Sequence, residues 1–281
     1  MNDFILQTPP PRAALDEFSA FAQTLADAAR ALFAPHIGLA PRVEIKADHS
    51  LVTALDRAIE ARLCELIESR FPGHGIYGEE QGQQRLDAEW VWVIDPIDGT
   101  APFIAGVPVF GSLIALLWRG HPVLGVMDFP VTQDRWLGVL GQPTLHRGRP
   151  CRTRDCERLD QAMLTTSNPD FYSAAQRPAF EALRSRTRWR IYGGCCLSYG
   201  LLASGRTDVA IDAGFKLYDY APFVPVLAGA GGVITDWAGR ALSLHNPAQC
   251  IVAAGDVRRH REALGLIEQA LATGTANGSP A

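Results

Sequence analysis

The run Trp92 to Thr100, "WVIDPIDGT", ends an apolar stretch on Asp95 and places Asp98 three residues later, across Pro96. Two like charges at the tip of a strand repel and raise one another's pKa values, and folding alone gives no reason to crowd them there. Asp-Gly is also a common turn pair, so by itself the pattern reads equally well as a turn. Three further acidic stretches shift the balance. "YGEEQG" puts Glu79 and Glu80 after a short strand-like segment and a glycine, and "LYDYAPF" puts Asp219 where an extended segment gives way to a helix. "LVTALD" puts Asp56 at the head of another helix. Each alone reads as a solvated loop residue or an N-cap. If they converge, a hard dication removes the repulsion, and carboxylates with a carbonyl and waters are the ligand set that Mg²⁺ prefers.

The spacing inside "DPIDGT" suits such a role. Pro96 fixes the local backbone, and an i, i+3 separation across a turn can aim Asp95 and Asp98 into one pocket. The Ile97 carbonyl is left available as a ligand, Gly99 permits a tight turn, and Thr100 supplies a hydroxyl. Two ions about 3.5–4 Å apart would form a clamp for in-line displacement at phosphorus.

These residues need elements to hold them. An amphipathic helix is predicted over 13–34, with Leu15, Phe18, Phe21, Leu25, Ala29 and Leu32 near helical spacing and Pro35 as its stop. A second helix is predicted over 54–70, after an extended, turn-like stretch. From 90 to about 140, short β-prone runs separated by Gly, Pro and Asp predict an antiparallel meander. The Gly, Pro and Arg-rich segment 141–158 marks a lobe boundary, beyond which strand-like and helix-like segments alternate to a last helix over 257–272. The predicted organisation is a flexible lead over 1–12, an N-terminal α+β lobe over 13–150, a C-terminal α/β lobe over 151–272 and a disordered tail over 273–281.

The 281 residues are 47% hydrophobic and 20% charged with a net charge of −4, so the chain can bury a core but has no basic field for a nucleic-acid backbone or an anionic membrane surface. No apolar run approaches the ~20 residues of a membrane span, and "MNDFILQTPPPR" lacks the features of a signal peptide. The cysteines, at 64, 151, 156, 195, 196 and 250, have no C-x-x-C spacing and read as free thiols in a reducing compartment, the cytoplasm.

Glu79-Glu80, Asp95-Pro-Ile-Asp-Gly-Thr100 and Tyr218-Asp-Tyr-Ala221, in this order, resemble the inositol monophosphatase superfamily of Mg²⁺-dependent, lithium-sensitive phosphatases. "KADHSLVTALD", "ASGRTDVAID" and "AGAGGVITDWAG" extend the resemblance over roughly residues 15–270. It implies an α/β fold, α+β overall, in a layered α-β-α-β-α sandwich. It implies that Glu79, Asp95 and the Ile97 carbonyl hold a first metal, and that Asp95, Asp98 and Asp219 hold a second. Asp56 and Thr100 would form the relay that orients and deprotonates the attacking water, with Glu79 also serving catalysis. The amides of Gly99 and Thr100 would bind phosphate, with direct attack by water and no phospho-enzyme. Two or three Mg²⁺ ions are implied, with Mn²⁺ as a substitute and Li⁺ and Ca²⁺ as inhibitors. The implied partners are a small-molecule phosphate ester and a second subunit in a homodimer.

The substrate's alcohol is set in the second lobe, where the resemblance points to Gly194, Cys195, Asp212 and Lys216. "SYG" before "LLASG", "VPV" before "GAGG", and Tyr218 in place of the tryptophan usual in inositol phosphatases resemble the bacterial histidinol-phosphatase branch. That branch commonly has an aspartate at Cys195, an aromatic residue at Leu197 and an arginine after the DGT, where this chain has Ala101-Pro102. Histidinol phosphate is therefore the expected substrate, with inositol 1-phosphate or a related sugar or nucleotide phosphate as the alternative. Asp212 and Lys216 also read as a turn residue and a solvated lysine, and Cys195 and Cys196 as small buried hydrophobes. Two rivals differ in class. The haloacid-dehalogenase signature, D-x-D-x-T, spaces its acids by two residues rather than three and leaves Glu79 without a role. A metal- and phosphate-binding regulatory module without turnover would use the same fold.

Overall fold

The computed structural model describes residues 9–46 and 51–276. Its elements run α1 (Arg12–Phe33), β1 (Val43–Ile45), β2 (Leu51–Thr53), α2 (Ala54–Arg70), β3 (Gly75–Gly78), β4 (Gln83–Gln84), β5 (Trp90–Asp98) and α3 (Thr100–Ala105). The meander follows as β6 (Gly111–Trp118), β7 (His121–Phe129), β8 (Asp134–Val139), β9 (Leu145–His146) and β10 (Arg149–Pro150). The later part comprises β11 (Met163–Thr166), α4 (Arg177–Arg186), β12 (Trp189–Tyr192), α5 (Leu197–Ala203), β13 (Val209–Ala213), α6 (Leu217–Tyr220) and α7 (Phe223–Ala230). It closes with β14 (Val233–Asp236), β15 (Cys250–Ala254) and α8 (Val257–Ala276).

Strands β3 to β10 form one eight-stranded sheet in the order β10-β9-β8-β7-β6-β5-β3-β4. The meander is antiparallel as predicted, but β3 joins its edge parallel to β5, Gly78 opposite Ile94, which brings the Glu79 loop beside the end of β5. The second sheet, β12-β11-β13-β15-β14, is parallel over its first three strands and antiparallel over the rest.

Period-2 alternation along β5 builds the layers. Trp92 and Ile94 pack with Leu25, Ala29, Ile59 and Leu63 of α1 and α2. Val91 and Val93 share a core with Tyr199, Phe223 and Leu227 of α5 and α7, and through them with Ala210 and Ile251 of the second sheet. The far face of that sheet, Leu164, Val209 and Val252, packs on Phe180, Leu183 and Ile267 of α4 and α8. This is the α-β-α-β-α sandwich. Strands covered on both faces must be apolar throughout, which is why β6 is buried at every position. Helix α7 lies so close to the first sheet that a Cβ on Gly138 would stand 2.4 Å from the Val226 nitrogen.

Some boundaries differ from expectation. Arg12 already opens α1, and α8 runs to Ala276, so residues 273–276 are helical rather than part of a disordered tail. The other calls on the lead and the tail, at 1–8 and 277–281, lie outside the described residues, as does part of "KADHSLVTALD". Asp56 and Asp219 are third residues of their helices rather than N-caps: Thr53 caps α2, and Asp56 Oδ2 accepts its N–H at 2.8 Å and its hydroxyl at 2.6 Å.

Candidate metal centre

In a regular strand, residues three apart point to opposite faces, so Asp95 and Asp98 should diverge. They do not, because β5 carries a β-bulge. Asp95 pairs with Leu113 and Asp98 with Gly111, leaving Pro96 and Ile97 opposite the single residue Ser112. The extra residue turns Asp98 onto the face of Asp95. A strand bulge, not the expected turn, does the aiming. Ser112, itself buried, donates its hydroxyl to the Pro96 carbonyl at 2.7 Å, satisfying an acceptor that the bulge frees from the ladder. Gly99 then reverses the chain at φ +83° into the short helix α3.

Asp219 arrives on α6, its Oδ2 accepting the Lys216 N–H at 2.5 Å. Carboxylate oxygens of Asp95, Asp98 and Asp219 lie within 4.8 Å of one another. Glu79 stands beside Asp95 and 3.2 Å from the Lys46 ammonium, which also binds Glu80. The Ile97 carbonyl accepts the Thr100 hydroxyl at 3.1 Å.

The electrostatics are those of a site built for a cation. Burial first, then Glu79, Asp98 and Asp219, hold the Asp95 carboxyl well above the usual range. Burial and Asp98 do the same to Asp219, and burial raises Asp98 against the hydrogen bonds that Cys196 makes to it. Glu79 is raised to about 7, chiefly by burial, with Lys46 opposing. Asp95 Oδ1 is buried without a hydrogen-bond partner. An orphaned hard oxygen among crowded acids fits a divalent oxygen-seeking ion. Size is no guide here: a cavity of about 740 Å³ lined by Trp237, Pro247, Leu264 and Leu271 has none of these acids in its wall.

A sequence model of the inositol monophosphatase family matches residues 14–273, nearly the whole chain. The chain belongs to the inositol monophosphatase family. It is a phosphoric monoester hydrolase of a metal-dependent family in which Mg²⁺ is typical. The bifunctional phosphatase IMPL2, chloroplastic, of Arabidopsis thaliana is 40% identical over 262 residues, covering 90% of this chain and 76% of that protein. A histidinol-phosphatase of Mycobacterium tuberculosis is 36% identical over 231 residues, covering 78% of this chain and 86% of its own. The solved structure of an inositol monophosphatase from Zymomonas mobilis superposes with a TM-score of 0.84 at 39% identity, over 92% of this chain and all of that one.

In this family phosphatase, the second-lobe residues divide. The loop before α5 reaches the acids: Cys196 donates its N–H to Asp98 Oδ2 at 2.9 Å. Cys195, at φ +44°, packs on the Gly99 turn, where a Cβ would stand 3.3 Å from its Sγ. Burial raises its thiol, so it is no thiolate nucleophile. Gly194 is pressed against the Ser198 hydroxyl, 2.2 Å from where a Cβ would lie. Lys216 is exposed, its ammonium 5.7 Å from the Tyr218 ring centre.

Asp212 is 1% exposed, and both oxygens accept hydrogen bonds, Oδ1 from the Ser167 N–H at 2.7 Å and the Thr166 hydroxyl at 3.0 Å, Oδ2 from the Tyr199 hydroxyl at 2.8 Å. These bonds join β11, β13 and α5. The Asp56–Thr100 relay is not formed: Thr100 donates to Ile97, and Asp56 Oδ1 has no partner. Helix α3 does lie against β2, the strand that leads into α2. Sequence reasoning missed Ser112, the Cys196 N–H and the buried Glu60. Only Glu60 had a signal: it follows Asp56 by one helical turn, on the same face of α2.

Proposed function

We propose that the protein is a Mg²⁺-dependent phosphomonoesterase acting on histidinol phosphate in histidine biosynthesis. Glu79, Asp95, the Ile97 carbonyl, Asp98 and Asp219 would hold the cations. The observation that carries the metal reading is the convergence of Asp95, Asp98 and Asp219 within 4.8 Å, with Asp95 buried and one of its oxygens unpartnered. When bound, Mg²⁺ acidifies a water and neutralises charge on a phosphoryl group. The chain's own groups do the rest. Asp56, raised by burial and free at Oδ1, accepts the proton of the attacking water. The amides of Gly99 and Thr100 would bind the phosphate, and the Thr100 hydroxyl steadies the Ile97 carbonyl.

The substrate rests on a narrower base. The resemblance of Ser198–Gly205, Val224–Val226 and Tyr218 to the histidinol branch and the histidinol-phosphatase of M. tuberculosis support it. The Z. mobilis inositol monophosphatase supports inositol 1-phosphate as the second reading. A panel of histidinol phosphate, inositol 1-phosphate, fructose 1,6-bisphosphate and 3′-phosphoadenosine 5′-phosphate, compared by kcat/KM, decides. A preference for inositol phosphate overturns the first reading. Mn²⁺ is expected to substitute in the same assay, and Li⁺ and Ca²⁺ to inhibit.

A homodimer is proposed on the edge strand β12, where Trp189 (51% exposed), Ile191 and Tyr192 stand open. A monomeric mass by light scattering rejects it. The cytoplasm is proposed because all six cysteines are free. Among the described residues no helix is long and apolar enough to cross a membrane.

A further inference from the structure

Glu60 is buried completely, at 0% exposure, one turn along α2 from the equally buried Asp56. A carboxylate without water is costly unless it is well bonded, and among the described residues Glu60 makes no ion pair. Its partners are backbone groups instead. Oε2 accepts the Glu80 N–H at 2.9 Å and Oε1 accepts the Gln81 N–H at 2.6 Å. Two consecutive amides of the acidic loop therefore close on one side chain. The loop's own ends meet behind it, where the Gly78 N–H donates to the Gly82 carbonyl at 2.9 Å. The fit leaves no slack, because a Cβ on Gly78 would stand 2.1 Å from Glu60 Oε1.

The consequence lies on the other side of the loop. With the amides of Glu80 and Gln81 turned inward, Glu79 projects toward Asp95 and Glu80 onto Lys46. We propose that Glu60 is a positioning residue for the cation site: by anchoring these two amides it aims Glu79 and sets the affinity of the site for a divalent ion. This rests on the Mg²⁺ reading above. Glutamine is the same shape but must turn an NH₂ toward an N–H donor, so at least one of the anchoring bonds is lost.

The test is Mg²⁺ binding by calorimetry, without substrate, to the full chain and its variants. Outer partners of metal ligands are worth about 10–100-fold in affinity, so Glu60→Gln is expected to weaken Mg²⁺ by roughly that factor. The KM for the phosphate ester at saturating Mg²⁺ should stay within about twofold. Gly78→Ala keeps the carboxylate and displaces it from outside, so it should show the same defect and covers failure of Glu60→Gln to fold. Leu183→Ala, in the distant core under α4, loses stability by cavity formation. It is expected to leave the Mg²⁺ affinity unchanged, which separates aiming from stability. Either Glu60→Gln or Gly78→Ala, folded and binding Mg²⁺ as tightly as wild type, overturns the proposal. Wild type that binds no Mg²⁺ overturns instead the metal reading of the whole site.

Discussion

Asp98 accepts the backbone N–H of Cys196 at 2.9 Å, a hydrogen bond that ties the bulge of the first sheet to the loop before α5. The acids at the end of β5 and the loop before α5 are thereby held in a single frame. Asp219, on α6, reaches the same point from 121 positions further along the chain than Asp98. The acid cluster exists only where the end of β5 and α6 meet.

Asp98→Asn separates the frame from the charge. An amide oxygen can still accept the Cys196 N–H, and one of four crowded acids is gone, so the thermal midpoint of the metal-free protein should hold or rise. Turnover should fall by at least about 100-fold, the upper effect of removing even an outer metal partner. Circular dichroism and phosphate release from an aryl phosphate check the two halves. Near-wild-type turnover would remove Asp98 from the cation site.

Metal binding should be pH-dependent with a fixed sign. Glu79, raised to about 7, and Asp95 and Asp219, raised well above the usual range, must lose protons to bind a cation. Mg²⁺ affinity is therefore expected to increase from pH 6 to pH 8, with proton release visible by calorimetry in buffers of different ionisation enthalpy. A flat profile would contradict the coupling of these carboxyls.

Chelation should expose the cost of the acids. A carboxyl whose folded pKa is raised contributes stability that is full below its unfolded pKa, near 4, and is lost as the pH climbs through the folded value. The melting temperature in EDTA should thus fall from pH 5 to pH 8. Saturating Mg²⁺ should reduce that fall, adding about 2.7 kcal/mol at a hundred times the dissociation constant. An equal slope with and without Mg²⁺ would show that the ion does not bind these groups.

Asp212 obeys the same sign without any metal. Burial, opposed by bonds from Ser167, Tyr199 and Thr166, raises it to about 7, so its share of stability is lost between pH 4 and pH 7. Asp212→Asn can keep the oxygen toward Ser167 and donate its NH₂ to the Tyr199 hydroxyl. The variant is expected to melt with a flatter pH dependence than wild type over that interval. Scans at pH 4.5, 6 and 7.5 test it; parallel curves would count against Asp212 as the titrating group.

Ser112→Ala should show what the bulge requires. Removing the hydroxyl leaves the Pro96 carbonyl short of its partner in a buried site, a loss of about 1–3 kcal/mol. Denaturant unfolding should register that loss. A variant as stable as wild type would mean that the bulge holds without this bond.

Much of this protein was legible in its residues. The alternation of "WVWVID" fixes a strand buried on both faces, the spacing of Leu15, Phe18, Leu25 and Ala29 fixes α1, and crowded acids at the end of an apolar run ask for a cation, all through local periodicity and charge. What only the tertiary structure decided was direction. Asp95 and Asp98 share a face because two residues of β5 oppose one of β6, and a register cannot be read from one strand. Asp212 accepts from Thr166, Ser167 and Tyr199, which reach it from other elements. Glu60 carries no mark in the sequence beyond its helical spacing from Asp56, and two amides from a loop some twenty residues away bind it. Chemical type is local and is carried by the sequence. Where a side chain points, and what satisfies it, depends on partners far along the chain that meet only in the fold.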